Sequence, residues 1–209
     1  MTETLKHWYD GWFYDKLIAP NQDKAFDKVK SIIADGSSVL DAGCGTGRLC
    51  FQLNDKCSKI DGVDASEKNI DVANENREKN LHHKIKFYHK DIKSFLEESR
   101  NKYDYAVLSY VIHEIGESKR ENILKLLSSY AGKVIIVDYL SPHPYTFSGI
   151  VNRIVEFFAG KVHFRNFKSY LKNDGLSGLS KITGLKIIAE IKNEPVTSHI
   201  AVFSKLDNY

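Results

Sequence analysis

One stretch constrains this chain more than any other. Residues 37–53 read SSVLDAGCGTGRLCFQL: an apolar run, a turn of five residues with three glycines, and a second apolar run. A backbone that bare between a strand and a helix lets a ligand approach more closely than side chains permit. It also leaves N–H groups facing the ligand beside a helix N-terminus. Three kinds of site use such a turn. A P-loop is excluded, because no Gly-Lys-Ser/Thr follows at the required spacing. The dinucleotide fingerprint G-x-G-x-x-G needs glycine where Arg48 stands. What remains is Gly43-Cys44-Gly45-Thr46-Gly47, a G-x-G-x-G pattern that suits another adenosine compound.

Around this turn, short apolar runs alternate with segments of helical period. Helices are expected over 4–19, closed by Pro20, and over 22–34, where Ala25, Phe26, Val29, Ile32 and Ile33 share a face and Asp35-Gly36 ends the run. Then follow a strand (SSVLDA), a helix over about 46–55, a strand at 59–63 and a helix from a Ser66 cap to about 79. A strand at 84–89, a short helix near 93–98 and a strand at 103–110 come next. Ser118 and Glu121 have capping-box spacing before another helix, and a fifth strand lies at 133–139. Beyond it we expect an apolar helix over 145–159, a loop, a short helix ending near Gly175, and two strands, 185–191 and 198–205, joined as an antiparallel hairpin. Alternating strands and helices imply an α/β fold with a mostly parallel sheet and helices on both faces. There is no repeat or linker, so residues 1–209 are read as one domain: a helical cap (1–36), a cofactor-binding core (37–140), acceptor-side helices (141–180) and closing strands (181–209).

The segment VLDAGCGTG resembles motif I of the class I S-adenosylmethionine-dependent methyltransferases. Other motifs agree in order. Asp64 in GVDAS stands 17 positions after Gly47, where the family carries an acidic residue at the end of strand two; Asp91 in HKDI follows strand three; DYAVLSYVIHE matches the motif at the end of strand four. The resemblance spans about residues 30–140 and implies a Rossmann-like seven-stranded sheet with a C-terminal antiparallel hairpin. It implies S-adenosylmethionine as cofactor and S-adenosylhomocysteine as product. Asp64, with Ala65 beside it, would take the ribose hydroxyls, Asp91 and Ile92 the adenine, and Asp41 and Gly43 the methionine end, with Cys44, Gly45, Gly47 and Ser109 completing the contacts. The segment AG…H-x-R-N-F…GL, carried here by Ala159-Gly160, His163, Arg165-Asn166-Phe167 and Gly175-Leu176, resembles the ubiquinone/menaquinone C-methyltransferase group.

Methyl transfer from a sulfonium mainly requires alignment of donor and acceptor, with a base where the acceptor carries a proton. Candidate bases at the strand ends are His113, Glu114 and His163; Tyr110, His143, Tyr145 and Arg165 are placed on the acceptor side, and Tyr9, Trp12 and Tyr14 are expected to close the pocket. Each has a plainer reading, as a packing histidine, a surface arginine or aromatics stapling the first helix. The apolar helix at 145–159 is expected to pack on the sheet or cover a hydrophobic substrate.

Composition narrows the partners. Thirty Lys+Arg against 27 Asp+Glu is too mild and too dispersed for a nucleic-acid face. The three cysteines, Cys44, Cys50 and Cys57, show no metal-ligand spacing, so no metal is expected and a reducing, cytoplasmic compartment is the simplest setting. No signal peptide or membrane span is read in the chain. The expectation is a methyltransferase of a small-molecule acceptor, monomeric or homodimeric. A non-catalytic adenosylmethionine-binding protein and a nucleic-acid or protein methyltransferase are the rivals; strand four ends in SYVIHE rather than in the Asn/Asp-Pro-Pro-aromatic motif of amino-group methylation.

Overall fold

A computed structural model describes residues 19–205. The chain runs α1 (Ala19–Ile32), β1 (Ser38–Ala42), α2 (Arg48–Leu53), β2 (Lys59–Asp64), α3 (Glu67–Lys79), β3 (Ile85–His89), α4 (Ile92–Ser99), β4 (Tyr103–Ser109), α5 (Glu117–Tyr130), β5 (Ala131–Tyr139), α6 (Phe147–Phe158), α7 (Lys161–Lys172), α8 (Gly175–Thr183), β6 (Lys186–Lys192) and β7 (Ser198–Ser204). The sheet has seven strands in the order β3-β2-β1-β4-β5-β7-β6. β1 to β5 pair in parallel, and β7 pairs antiparallel with both β5 and β6.

The central strands read as continuous apolar runs because both of their faces are covered. Val39, Val107, Ile135 and Val137 belong to one buried layer with Ala25, Val29, Leu49 and Ile70 from α1, α2 and α3. Leu40, Ala106, Leu108 and Ile136, the alternate positions, belong to the other with Phe95, Leu124, Leu127 and Leu179 from α4, α5 and α8. Strand order reverses between β1 and β4, so the C-terminal ends of those strands open the crevice where ligands of such sheets bind.

The first five strands and the closing hairpin stand as the sequence pattern indicates, and Ser66 caps α3 by accepting from Asn69 N–H. The helix expected over 4–19 and closed at Pro20 lies outside the described residues, as do Tyr9, Trp12 and Tyr14; Pro20 itself falls in α1. Four expectations are corrected. Ser118 lies inside α5, whose N-cap is Gly116, so the capping box is not formed. The segment KVHFRNF, read as a loop, is the start of the 12-residue helix α7, and Gly175 opens α8 instead of ending a helix.

The fourth correction concerns α6. Its apolar residues do not pack on the sheet: Phe147, Ile150, Ile154, Phe157 and Phe158 are exposed, while Gly149 and Glu156 are the buried ones. The helix turns its lone carboxylate inward because partners wait for it there.

Candidate active site

The glycine turn is tied to β2 by two bonds, Gly43 N–H and Cys44 N–H both donating to Val63 C=O at 2.7 and 3.0 Å. Gly43 has φ +81°, and a Cβ there would stand 2.5 Å from Val111 Cγ2, so the segment after β4 lies directly against the turn. Gly45 has φ +53°, and a Cβ there would meet nothing within 4 Å, so the turn is open at this point.

The carboxylates around the turn differ in state. Asp64, last residue of β2, accepts from Gly45 N–H at 2.9 Å and Ser66 N–H at 2.8 Å, so the strand end and the turn hold it in one orientation. Asp41 points from β1 into the layer beneath α2. Its Oδ2 accepts from the Cys50 thiol at 3.2 Å, while its Oδ1 is buried without a partner. Burial pushes its carboxyl up to about 7, against the lowering effect of the Cys50 bond. Burial likewise pushes the Cys44 and Cys50 thiols far above their usual range, so they act as small apolar groups. Ser109 Oγ, at the end of β4, is a second buried polar atom without a partner.

A bound adenosine cofactor fits these features: a bare cradle, a carboxylate at the end of β2, and orphaned polar atoms at the ends of β1 and β4. Asp91 behaves differently, since both its oxygens take Ser94, N–H at 3.0 Å and O–H at 2.6 Å, as the N-cap of α4. Those bonds hold its carboxyl below the usual range. Ile92 packs at the edge of the α4-side core. Ala65 presents its carbonyl to His89 Nε2 at 3.1 Å.

A second group of side chains gathers beside this crevice. His113, just after β4, is 2% exposed. Its Nδ1 bonds Asp138 Oδ1 at 2.8 Å, at the end of β5, and its Nε2 lies 3.5 Å from Glu156 Oε2. Glu156 also bonds His163 Nε2 from α7 and accepts from Tyr139 O–H at 2.8 Å. Burial alone would favour a neutral His113, but the Asp138 and Glu156 carboxylates override it and hold the imidazole well above its usual range. Burial alone would raise Glu156; the two histidines hold it well below. His113 therefore lies between two carboxylates, which fix the orientation of its ring. Glu114, the neighbouring residue, is exposed, and its backbone carbonyl accepts from Asn166 Nδ2 at 2.7 Å.

The other acceptor-side expectations divide. His143 is buried near the group, its ring against Tyr139 and Phe167, and burial pulls its pKa down. Tyr110 adopts φ +58°, a rare conformation for a bulky residue, and bonds Ser198 Oγ through its hydroxyl at 3.0 Å, on the α1-side layer. Tyr145 is 86% exposed, stacked on Arg153. Arg165 stands two residues from His163, about 200° round the helix, and lines an outer groove with Phe157 and Phe158. It does not join the cluster.

Three residues that carry the site were not singled out from the sequence. Asp138 ends a strand in VDY, Glu156 is the one acid in SGIVNRIVEFF, and Arg120 is buried within α5. Arg120 donates to the carbonyls of Ile112, His113, Ile115 and Asn166 and to Ser169 Oγ, locking the segment after β4 to α7. A lone acid on an apolar helix was the readable signal for Glu156.

Comparison with known proteins agrees with this geometry. Residues 33–147 match a family model described as a methyltransferase domain. An uncharacterized RNA methyltransferase of Mycoplasma mobile is 26% identical over 101 residues, 48% of this chain and 28% of that protein. The matches to curated relatives span only about a quarter of those relatives' length. Among solved structures, magnesium protoporphyrin IX methyltransferase of Synechocystis with bound S-adenosylhomocysteine superposes with a TM-score of 0.66 at 21% identity, over 95% of this chain and 91% of that one. A protein of Pyrococcus horikoshii superposes with a TM-score of 0.71 at 18% identity, over 96% and 99%. The chain belongs to the methyltransferase-domain family, and it shares its fold with the S-adenosylhomocysteine-bound Synechocystis enzyme.

Proposed function

We propose that this enzyme methylates a small molecule, held between the ends of β4 and β5 and the helices α6 and α7. The observation that carries the reading is the buried His113–Asp138 and Glu156–His163 group at the C-terminal ends of β4 and β5, with His113 two residues beyond Val111, which packs on Gly43. A polar group recessed that far under helices suits the reactive end of a compact acceptor. When bound, S-adenosylmethionine supplies an electrophilic methyl on a sulfonium. The chain's part is to fix the two partners. Asp64 holds the ribose end, Asp41 offers its free Oδ1 toward the methionine ammonium, and Ser109 offers a hydroxyl at the strand end. Asp91 and Ile92 flank the adenine position. His113 and His163, each fixed by a carboxylate, orient the polar atom of the acceptor. The similarity to the ubiquinone-type group at AG…H-x-R-N-F supports the same class of acceptor.

The test is transfer of labelled methyl from S-adenosylmethionine to panels of small hydroxylated, amino and aromatic compounds, total RNA and total protein. Label in the small-molecule fraction is expected. Label confined to RNA, the acceptor class named for the Mycoplasma relative, or confined to protein, would overturn the reading.

A further inference from the structure

The same cluster has the makings of a cation site. One ring nitrogen of His113, one of His163 and one carboxylate oxygen of Glu114 lie within 4.8 Å of one another. These residues come from the segment after β4 and from α7, so their numbers, 113, 114 and 163, show no ligand spacing in the sequence. His113 Nε2 is buried with no hydrogen-bond partner of good geometry. The outer groups match what a metal's ligands require. A ligating histidine ordinarily gives its other ring nitrogen to a carboxylate, which fixes tautomer and orientation. Asp138 does this for His113 Nδ1 at 2.8 Å. Glu156 touches both imidazoles, and Tyr139 O–H fixes its other oxygen at 2.8 Å. On a tetrahedral ion with bonds of about 2.0–2.2 Å, ligand atoms stand roughly 3.3–3.5 Å apart. The three donor atoms, all within 4.8 Å of one another, need only small side-chain shifts to reach that spacing.

We propose that His113, Glu114 and His163 bind one divalent first-row transition ion, with Glu156 alongside both imidazoles and Asp138 behind His113. Two imidazoles with carboxylate donors suit zinc or ferrous iron more than calcium or magnesium, which prefer oxygen-only shells. The ion would join the segment after β4 to α7 and so fasten the helical cover to the sheet. Its free positions take an oxygen donor, so the favoured acceptor carries a hydroxyl or carboxylate near the methylated atom. That last step rests on the acceptor reading above.

The experiment uses the untagged full chain, stripped by chelator and dialysed at pH 8 against zinc or cobalt(II). Bound metal is measured by elemental analysis, and cobalt by its visible ligand-field bands. One ion per chain is expected. Affinity should fall about tenfold or more in Glu114→Gln, an isosteric change that keeps the side chain's volume, and further in His163→Ala. Both variants should keep binding S-adenosylhomocysteine by calorimetry, which reports the cofactor site separately. No uptake by the parent chain, or equal uptake by both variants, overturns the metal site. Methylation by the stripped chain at the parental rate overturns the ion's role toward the acceptor while leaving the cofactor reading intact. Loss of S-adenosylhomocysteine binding by the parent chain would instead strike the methyltransferase reading.

Discussion

Asp41 shows how a single position trades stability for binding. Its carboxyl is buried beneath α2, holds one thiol bond and leaves Oδ1 unpaired. Its folded pKa of about 7 lies above the unfolded value near 3.9. Between those values the folded state binds more protons than the unfolded state, so stability falls as pH rises from about 4 to 7 and stays reduced above. Asp41→Asn should therefore be more stable than the parent at pH 8, by on the order of 2–4 kcal/mol, and nearly level with it at pH 4. Urea unfolding of the ligand-free proteins at both pH values checks this. The same variant should bind S-adenosylmethionine more weakly, because the ammonium loses its carboxylate.

Asp64 works the other way: it holds the turn, and in the reading proposed above it also takes the ribose. Asp64→Ala should lower S-adenosylhomocysteine affinity about 100-fold, the effect of losing charge-assisted hydrogen bonds worth about 2–3 kcal/mol. Calorimetry reads this directly; unchanged affinity would place the ligand elsewhere.

Among the elements, α5 and α6 are the informative ones. A buried guanidinium normally needs a carboxylate, yet Arg120 is satisfied by four backbone carbonyls and one hydroxyl. Those carbonyls belong to irregular chain after β4 and to α7, so Arg120 supplies the donors that no strand or helix gives them. Arg120→Leu should cost about 3 kcal/mol or more by stranding them, seen in urea unfolding. It should also lower the methylation rate, because His113 C=O is among its acceptors. On α6, the exposed apolar side is the place where substitution should be silent in stability. Ile154→Gln should change unfolding free energy by no more than about 0.5 kcal/mol, read by urea unfolding.

The whole molecule closes around one event, binding at the reversal of strand order. A ligand that binds only the folded chain stabilises it by about 2.7 kcal/mol at 100 times its dissociation constant. For a chain of this length that corresponds to roughly 5–10 °C in Tm. S-adenosylhomocysteine should give such a shift and nicotinamide cofactors none, since Arg48 replaces the third fingerprint glycine and pairs with Asp23 at 2.6 Å.

Local chemistry alone determined much of this protein. Apolar runs bounded by turns marked seven strands, the Ser66 cap marked α3, and the G-x-G-x-G turn with Asp64 marked the crevice at the strand ends. These features are written over a few consecutive residues, because a strand's burial and a turn's φ angles are set by near neighbours. Only the tertiary structure brought the histidine–carboxylate cluster together. Asp138, His113, Glu156 and His163 are separated by up to 50 positions, and nothing in the local sequence of any one requires the others. The same cause explains α6 and α7. Periodicity located the apolar stripe of α6 but not its direction, which is set by the imidazoles awaiting Glu156. KVHFRNF, read as a loop, became a helix because Phe167 and Tyr170 are buried against the core. Long-range electrostatics and packing, summed over elements that meet only after folding, are what the one-dimensional pattern does not carry.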